Sequence, residues 1–239
     1  MCGNWKIVLG NFLNLILKEG IDMEEKKIKK IVCFGDSNTH GYNSKTMGRF
    51  SEEERWTKLL AKYLGKEYDV VEEGLEGRTA CFEDPLFEGL CGFNYIYPCI
   101  MTHKPIDLLI IMLGTNDVKE RFSATPANVA KGMDRLVQKA LDTKIAFRGE
   151  PNILLMCPPA INPGYEKTFV YGEMGDNCVE KSRALAPLYE EVAKLKGIHF
   201  IDAGSIEGVD MYPYDYMHLS LDAHDNLAKY LAKAIPNMI

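Results

Sequence analysis

Five short apolar runs punctuate the chain: Ile31–Phe34, Tyr68–Val71, Leu108–Leu113, Ile153–Cys157 and His199–Ile201, each bounded by Gly, Pro, Asp or Asn. Runs of this length and composition read as β-strands. Their near-continuous apolar character, in place of strict alternation, means burial on both faces, which is the condition of parallel strands covered by helices. Helical patterns fill the intervals at Ser51–Leu64, about Asn94–Thr102, Pro126–Asp142, Cys178–Leu195 and Leu221–Ala234, several opened by Ser, Thr or Pro. The alternation predicts an α/β fold, a three-layer α/β/α sandwich on a five-stranded parallel sheet, with no internal repeat or low-complexity linker.

At 239 residues, 46% hydrophobic and 26% charged, the chain is sized for one medium domain with a full core. Residues 29–239 read as that single domain and residues 1–28 as an N-terminal extension. The apolar segment within residues 1–22 is broken by Asn11 and Asn14, is too short and polar to span a membrane, and lacks a small-residue cleavage site. Lys18-Glu19-Gly20 is compatible with the coding AAG-GAG-G, a bacterial ribosome-binding tract, so Met23 reads as an alternative start.

The net charge of −6 argues against nucleic acid or an anionic membrane as partner, since either needs a concentrated basic surface. A small neutral or polar substrate fits better. The seven cysteines (Cys2, Cys33, Cys81, Cys91, Cys99, Cys157 and Cys178) show no Cys-x-x-Cys spacing, and their odd number points to a reduced, cytoplasmic setting without structural disulfides.

In an open parallel sheet, function collects beyond the carboxyl ends of the strands. Gly35-Asp-Ser37 leaves the first strand, Glu73-Gly-Leu-Glu-Gly77 the second, Gly114-Thr-Asn-Asp117 the third and Cys157-Pro-Pro159 the fourth, while Asp215-Tyr-Met-His218-Leu-Ser220 precedes the last helix. A serine hydroxyl is a poor nucleophile until an imidazole takes its proton and a carboxylate fixes that imidazole's tautomer. Ser37, His218 and Asp215 supply the three groups, and the Asp-x-x-His spacing suits a tight turn that leaves one ring nitrogen free for the serine. Acyl transfer also develops an oxyanion, for which the candidate donors are the backbone N–H of Ser37, the backbone N–H of Gly77 and the side-chain amide of Asn116. No cluster of His, Cys or Asp has metal-ligand spacing, so neither a metal nor another cofactor is called for.

These blocks resemble the SGNH (GDSL) hydrolases, named for Ser, Gly, Asn and His. Gly35-Asp-Ser37, Gly77, Gly114-Thr-Asn116-Asp and Asp215-x-x-His218 occur in the family's order, and the likeness runs from about Lys30 to the C-terminus. Glu72-Glu-Gly-Leu-Glu-Gly-Arg-Thr79, Asp84-Pro85 and Asp107-Leu-Leu-Ile-Ile-Met-Leu-Gly-Thr-Asn-Asp117 look like the bacterial arylesterase/acyltransferase subgroup. The resemblance implies a flavodoxin-like strand order, 2-1-3-4-5, and hydrolysis of short-chain and aryl esters with acyl transfer to alcohols or peroxide. It also implies a compact homo-oligomer, often an octamer, whose neighbouring subunits narrow the active-site mouth. Asn38 and His40 depart from the pattern of many relatives and direct attention to a second reading, a carbohydrate acetylesterase with the same triad.

Each assignment has a plainer rival. Ser37 could only cap the following helix, Asn116 and Asp117 could form an Asx turn, Gly77 could be a turn glycine, and Asp36 reads as holding its turn. Among the histidines, His103 at a helix end and His199 at a strand start read as structural, and His224 as packing or capping within the last helix. His40 rivals His218 but lies only three residues from Ser37. Asp222 suits a helix N-terminus and Asp210 lies farther off, which leaves Asp215. The aromatic segments Phe82–Tyr97 and Tyr165–Tyr171 are too rich in Gly and Pro for regular structure, and read as loops that shape a pocket or bury a subunit interface, with surface packing as the plainer rival; their aromatics suit an interface better than exposure to water. Readings from other classes are a non-catalytic small-molecule binding module and a flavodoxin-like nucleotide binder, though Gly35–Gly41 lacks any phosphate-loop pattern.

Overall fold

A computed structural model describes residues 27–239. The extension expected over residues 1–28, with the alternative start at Met23, lies outside them except for Lys27 and Ile28. Five parallel strands form the central sheet: β1 (Lys29–Gly35), β2 (Tyr68–Gly74), β3 (Leu108–Met112), β4 (Ile153–Cys157) and β5 (His199–Asp202). Their order is β2-β1-β3-β4-β5, the flavodoxin-like order expected from the resemblance. Ile31 aligns with Val70 on one side and Leu108 on the other, and Leu109 aligns with Ile153.

Alternate residues of each strand feed opposite layers, as the pleat requires. Val32, Phe34, Leu109, Ile111, Ile153 and Leu155 pack beneath α3 (Gly92–His103), α4 (Pro126–Asp142) and α7 (Leu185–Lys196). Ile31, Cys33, Leu108, Ile110, Leu154 and Met156 face α2 (Trp56–Leu64) and α8 (Leu221–Ala234). The remaining helices are one or two turns long: α1 (Ser37–His40), α5 (Tyr171–Met174) and α6 (Cys178–Arg183).

The elements depart from the sequence expectation where local chemistry intervenes. The pattern from Ser51 begins with turns, in which the Glu54 carboxylate accepts the Ser51 N–H at 2.8 Å, and α2 starts only at Trp56. The single helix expected over Cys178–Leu195 is two, broken at Ala184. Pro187 explains the break, since its ring would meet the carbonyl of Arg183 in a continuous helix. Strand β2 runs three residues beyond Val71, through Glu72 and Glu73 to Gly74. The irregular segment expected over Phe82–Tyr97 ends early, because Gly92–His103 is helical. Among the described residues the six cysteines are free thiols, and no helix is long and apolar enough to cross a membrane.

Candidate active site

Strand β1 delivers its chain to a single turn of helix. Asp36 caps that turn, its Oδ1 accepting the Asn38 N–H at 2.9 Å, and this places Ser37 at the first helical position. Gly35 is required there: a Cβ would lie 2.0 Å from Thr39 Oγ1 and 2.8 Å from the Met112 carbonyl. The turn-holding role expected for Asp36 and the position of the buried Ser37 at the start of the helix therefore belong to one local structure.

The segment before α8 folds back on itself. Tyr216 takes the left-handed conformation, φ +63°, uncommon outside glycine, and the turn lets Asp215 Oδ1 accept the N–H groups of Met217 and His218, each at 3.1 Å. Asp215 Oδ2 lies 2.6 Å from His218 Nδ1, and His218 Nε2 lies 2.8 Å from Ser37 Oγ. Burial works to raise the Asp215 carboxyl, but the hydrogen bonds from His218 and from the two N–H groups outweigh it and hold the group below its ordinary value. An ionised Asp215 requires His218 Nδ1 to donate, which leaves Nε2 to accept from the Ser37 hydroxyl. The Tyr42 ring packs against the imidazole, its centroid 4.6 Å away.

The second block forms a turn from Leu75 to Arg78, closed by the Arg78 N–H on the Leu75 carbonyl at 3.1 Å. Gly77 is its third residue with φ +79°, the value a type II turn demands and glycine supplies without strain. Asn116 is buried, and its Nδ2 donates to the Arg78 carbonyl at 3.2 Å, which occupies one of its two amide hydrogens. Ser37, Gly77, Asn116 and His218 all line one cavity of about 450 Å³. The sequence-predicted donors thus border the same space as the serine. A helix's first N–H has no intrahelical acceptor, so that of Ser37 is open to a ligand.

The other candidates lie elsewhere. His40 pairs with Glu76 at 3.4 Å and does not line the cavity. His103 pairs with Glu73 at 2.6 Å, and His199 is exposed at the start of β5. His224 is fully buried, accepts the Trp56 N–H at the start of α2 at 3.2 Å and meets the Phe50 ring, so it both packs and caps. Asp210 and Asp222 are exposed. Asp117, fully buried, accepts the Ala80 N–H on both oxygens at 2.8 and 3.0 Å, and burial with the nearby Asp36 pushes it up to about 7. Asp36, also buried, is pushed up to about 6.

Several contributors escaped the sequence reading. The buried Arg78 guanidinium donates to the Gly35 carbonyl at 2.9 Å and to the Glu73 carbonyl, and lies over the Phe34 and Tyr95 rings at 4.2 and 5.3 Å. It ties the end of β1 to the turn that carries Gly77. Its only sequence signal was membership of Glu-Gly-Arg-Thr. The cavity wall is mostly apolar, with Leu90, Val170, Met174 and Met217 buried and Phe87 and Phe169 at the mouth. The two aromatic loops therefore shape a pocket. Away from it, Glu73, Cys99 and His103 bring ligand atoms within 4.8 Å of one another, the one group among the described residues that could hold a metal ion; spacing in sequence hid it because β2 and α3 each contribute part.

The chain is similar to several known proteins. Residues 33–226 match the model of the GDSL-like lipase/acylhydrolase family. A search of the curated proteins found no match. Among solved structures, the native aryl esterase of M. smegmatis is 34% identical, with 88% of this chain and 100% of that chain covered and a TM-score of 0.80. A carbohydrate acetylesterase from Sinorhizobium meliloti is 33% identical over the same shares, with a TM-score of 0.79. A member of the lipolytic G-D-S-L family from Veillonella parvula, 16% identical with a TM-score of 0.63, shares the fold.

Proposed function

We propose that this chain, which belongs to the GDSL-like lipase/acylhydrolase family, hydrolyses small short-chain or aryl carboxylic esters through an acyl-enzyme on Ser37. The observation that carries the reading is the unbroken series of Ser37 Oγ, His218 and Asp215 at 2.8 and 2.6 Å, opening on a cavity with N–H donors. Ser37 Oγ attacks the ester carbonyl while His218 Nε2 takes its proton, and Asp215 stabilises the imidazolium. The oxyanion is met by the N–H groups of Ser37 and Gly77 and by the second amide hydrogen of Asn116. Losing one such donor typically raises the barrier by about 3 to 4 kcal/mol. Collapse returns the proton from His218 to the leaving alcohol. A water, deprotonated by His218, then attacks the acyl-Ser37 ester, and the carboxylic acid leaves as the serine recovers its proton.

The apolar wall suits acyl and aryl groups, and acyl transfer to an alcohol or peroxide belongs to this proposal through the resemblance to the arylesterase/acyltransferase subgroup. Leu86, Phe87 and Phe169 are 64%, 49% and 56% exposed, and a second copy covering these side chains would complete the mouth as a homo-oligomer, in keeping with the expectation of an octamer. Free thiols accord with a cytoplasmic setting. The second reading, a carbohydrate acetylesterase, draws on the Sinorhizobium likeness and on Glu76 and Glu88 at the cavity, which can accept sugar hydroxyls. It gains nothing from Asn38 or His40: the first is committed to main-chain partners and the second to Glu76.

The test is a substrate panel. Folded protein should hydrolyse p-nitrophenyl acetate and lose rate as the acyl chain lengthens. Higher kcat/KM on acetylated xylosides than on aryl acetates would favour the carbohydrate reading, and no turnover of any ester would overturn both.

A further inference from the structure

Lys119 stands on the same loop as Asn116, its N–H donating to the Asn116 carbonyl at 3.3 Å. It lines the cavity that holds Ser37 and His218, and is the one lysine or arginine among the described residues that do so. The residue is only 5% exposed. Two acids nearby, Asp84 and Glu173, are both held by Arg121, at 2.8 and 3.0 Å. Glu76, at the same cavity, faces His40. Among the described residues the Lys119 ammonium makes no hydrogen bond or ion pair. In a mostly apolar cavity its three unpaired N–H donors call for an acceptor.

We propose that Lys119 is an anion subsite of this cavity, and that the preferred substrates are esters carrying a carboxylate a few atoms from the scissile bond. The inference rests on the esterase reading and specifies its substrate class. The apolar wall would take the methylene spacer, Ser37 and the N–H donors the ester carbonyl, and Lys119 the terminal carboxylate. Burial, with Arg121 adding like charge, lowers the pKa of this lysine, and a bound carboxylate would oppose that shift.

Two matched pairs of esters test it, each differing only in a terminal carboxylate or methyl: monoethyl glutarate against ethyl pentanoate, with the charge on the acyl side, and 4-acetoxybutanoate against butyl acetate, with the charge on the alcohol side. The anionic-to-neutral ratio of kcat/KM is measured for the wild type, Lys119→Met and Lys119→Arg. Because both members of a pair are assayed on one preparation, loss of folded protein cancels. The ratio should fall about tenfold in Lys119→Met for at least one pair and be largely kept in Lys119→Arg, and the responsive pair identifies the side that bears the charge. Turnover of the neutral esters with ratios that move less than twofold, or a wild type that rejects both anions, would overturn the subsite alone. No turnover of any of the four esters would overturn the esterase reading and the subsite with it.

Discussion

Asn38 grips the main chain on either side of His218: its Oδ1 accepts the Leu219 N–H at 2.9 Å and its Nδ2 donates to the Met217 carbonyl at 3.3 Å. The residue after the nucleophile thus fixes the base independently of the serine–imidazole bond. The Trp56 indole in turn donates to the Asn38 carbonyl at 3.0 Å, anchoring this join to α2.

Asn38→Ala should accordingly destabilise the fold by about 2 to 4 kcal/mol, because two buried backbone groups lose their partners. If Asn38 positions His218, kcat should fall on the order of 100-fold with KM little changed, as expected when loosened alignment costs only the transition state. Urea unfolding and steady-state kinetics on the same variant check both statements. A change in KM alone would instead place Asn38 in contact with substrate.

Asp215→Asn keeps the size of the side chain but presents an amide to His218 Nδ1. With the wrong tautomer favoured, Nε2 no longer accepts from Ser37, and kcat should drop on the order of 1,000- to 10,000-fold by analogy with serine hydrolases in general. Kinetics with p-nitrophenyl acetate reads this directly.

Arg78→Met should cost about 2 to 4 kcal/mol of stability, since the Gly35 and Glu73 carbonyls lose a charged donor and two rings lose a stacked cation. Lysine should rescue little of it, because a single ammonium cannot reproduce a planar guanidinium that bridges two carbonyls and lies on a ring face. Thermal unfolding of the methionine and lysine variants side by side makes the comparison.

His224 sets a pH dependence of stability. Burial, assisted by the charge of His218, lowers it to about 3 from an ordinary 6.5. The folded protein keeps this group neutral where the unfolded chain protonates it, so its contribution is complete above about pH 6.5 and is lost progressively as the pH falls below that value. Between about pH 7.5 and about pH 5.5 the stability advantage of the wild type over His224→Gln should shrink by about 1.4 kcal/mol. Chemical denaturation at the two pH values measures it, and a constant difference would show that the imidazole is not held neutral.

The sheet was legible because the strand cores are nearly continuous apolar runs, whereas β2 outran its signal at Glu72. That carboxylate survives in an edge strand because Arg55 reaches it at 2.7 Å and Thr57 donates to it. Such partners arrive from another element and leave no local pattern. The same distinction divides the site. Ser37, Gly77, Asn116 and the Asp215–His218 pair each sit in a contiguous motif at a strand exit or helix start, so type and spacing reveal them. Asn38 suggested a polar pocket when read alone, yet its partners are 179 and 181 residues away. Arg78 and Lys119 gain meaning only from the surfaces folded around them, a pair of rings for one and a cavity for the other.

The central claim is that Ser37 becomes acylated, and the most direct test is covalent. Intact-protein mass spectrometry after treatment with a fluorophosphonate should show one adduct, mapped to the peptide bearing Ser37, appearing in step with loss of p-nitrophenyl acetate hydrolysis and absent from Ser37→Ala. Hydrolysis that persists in folded Ser37→Ala, or an adduct on another residue that abolishes activity, would contradict the account.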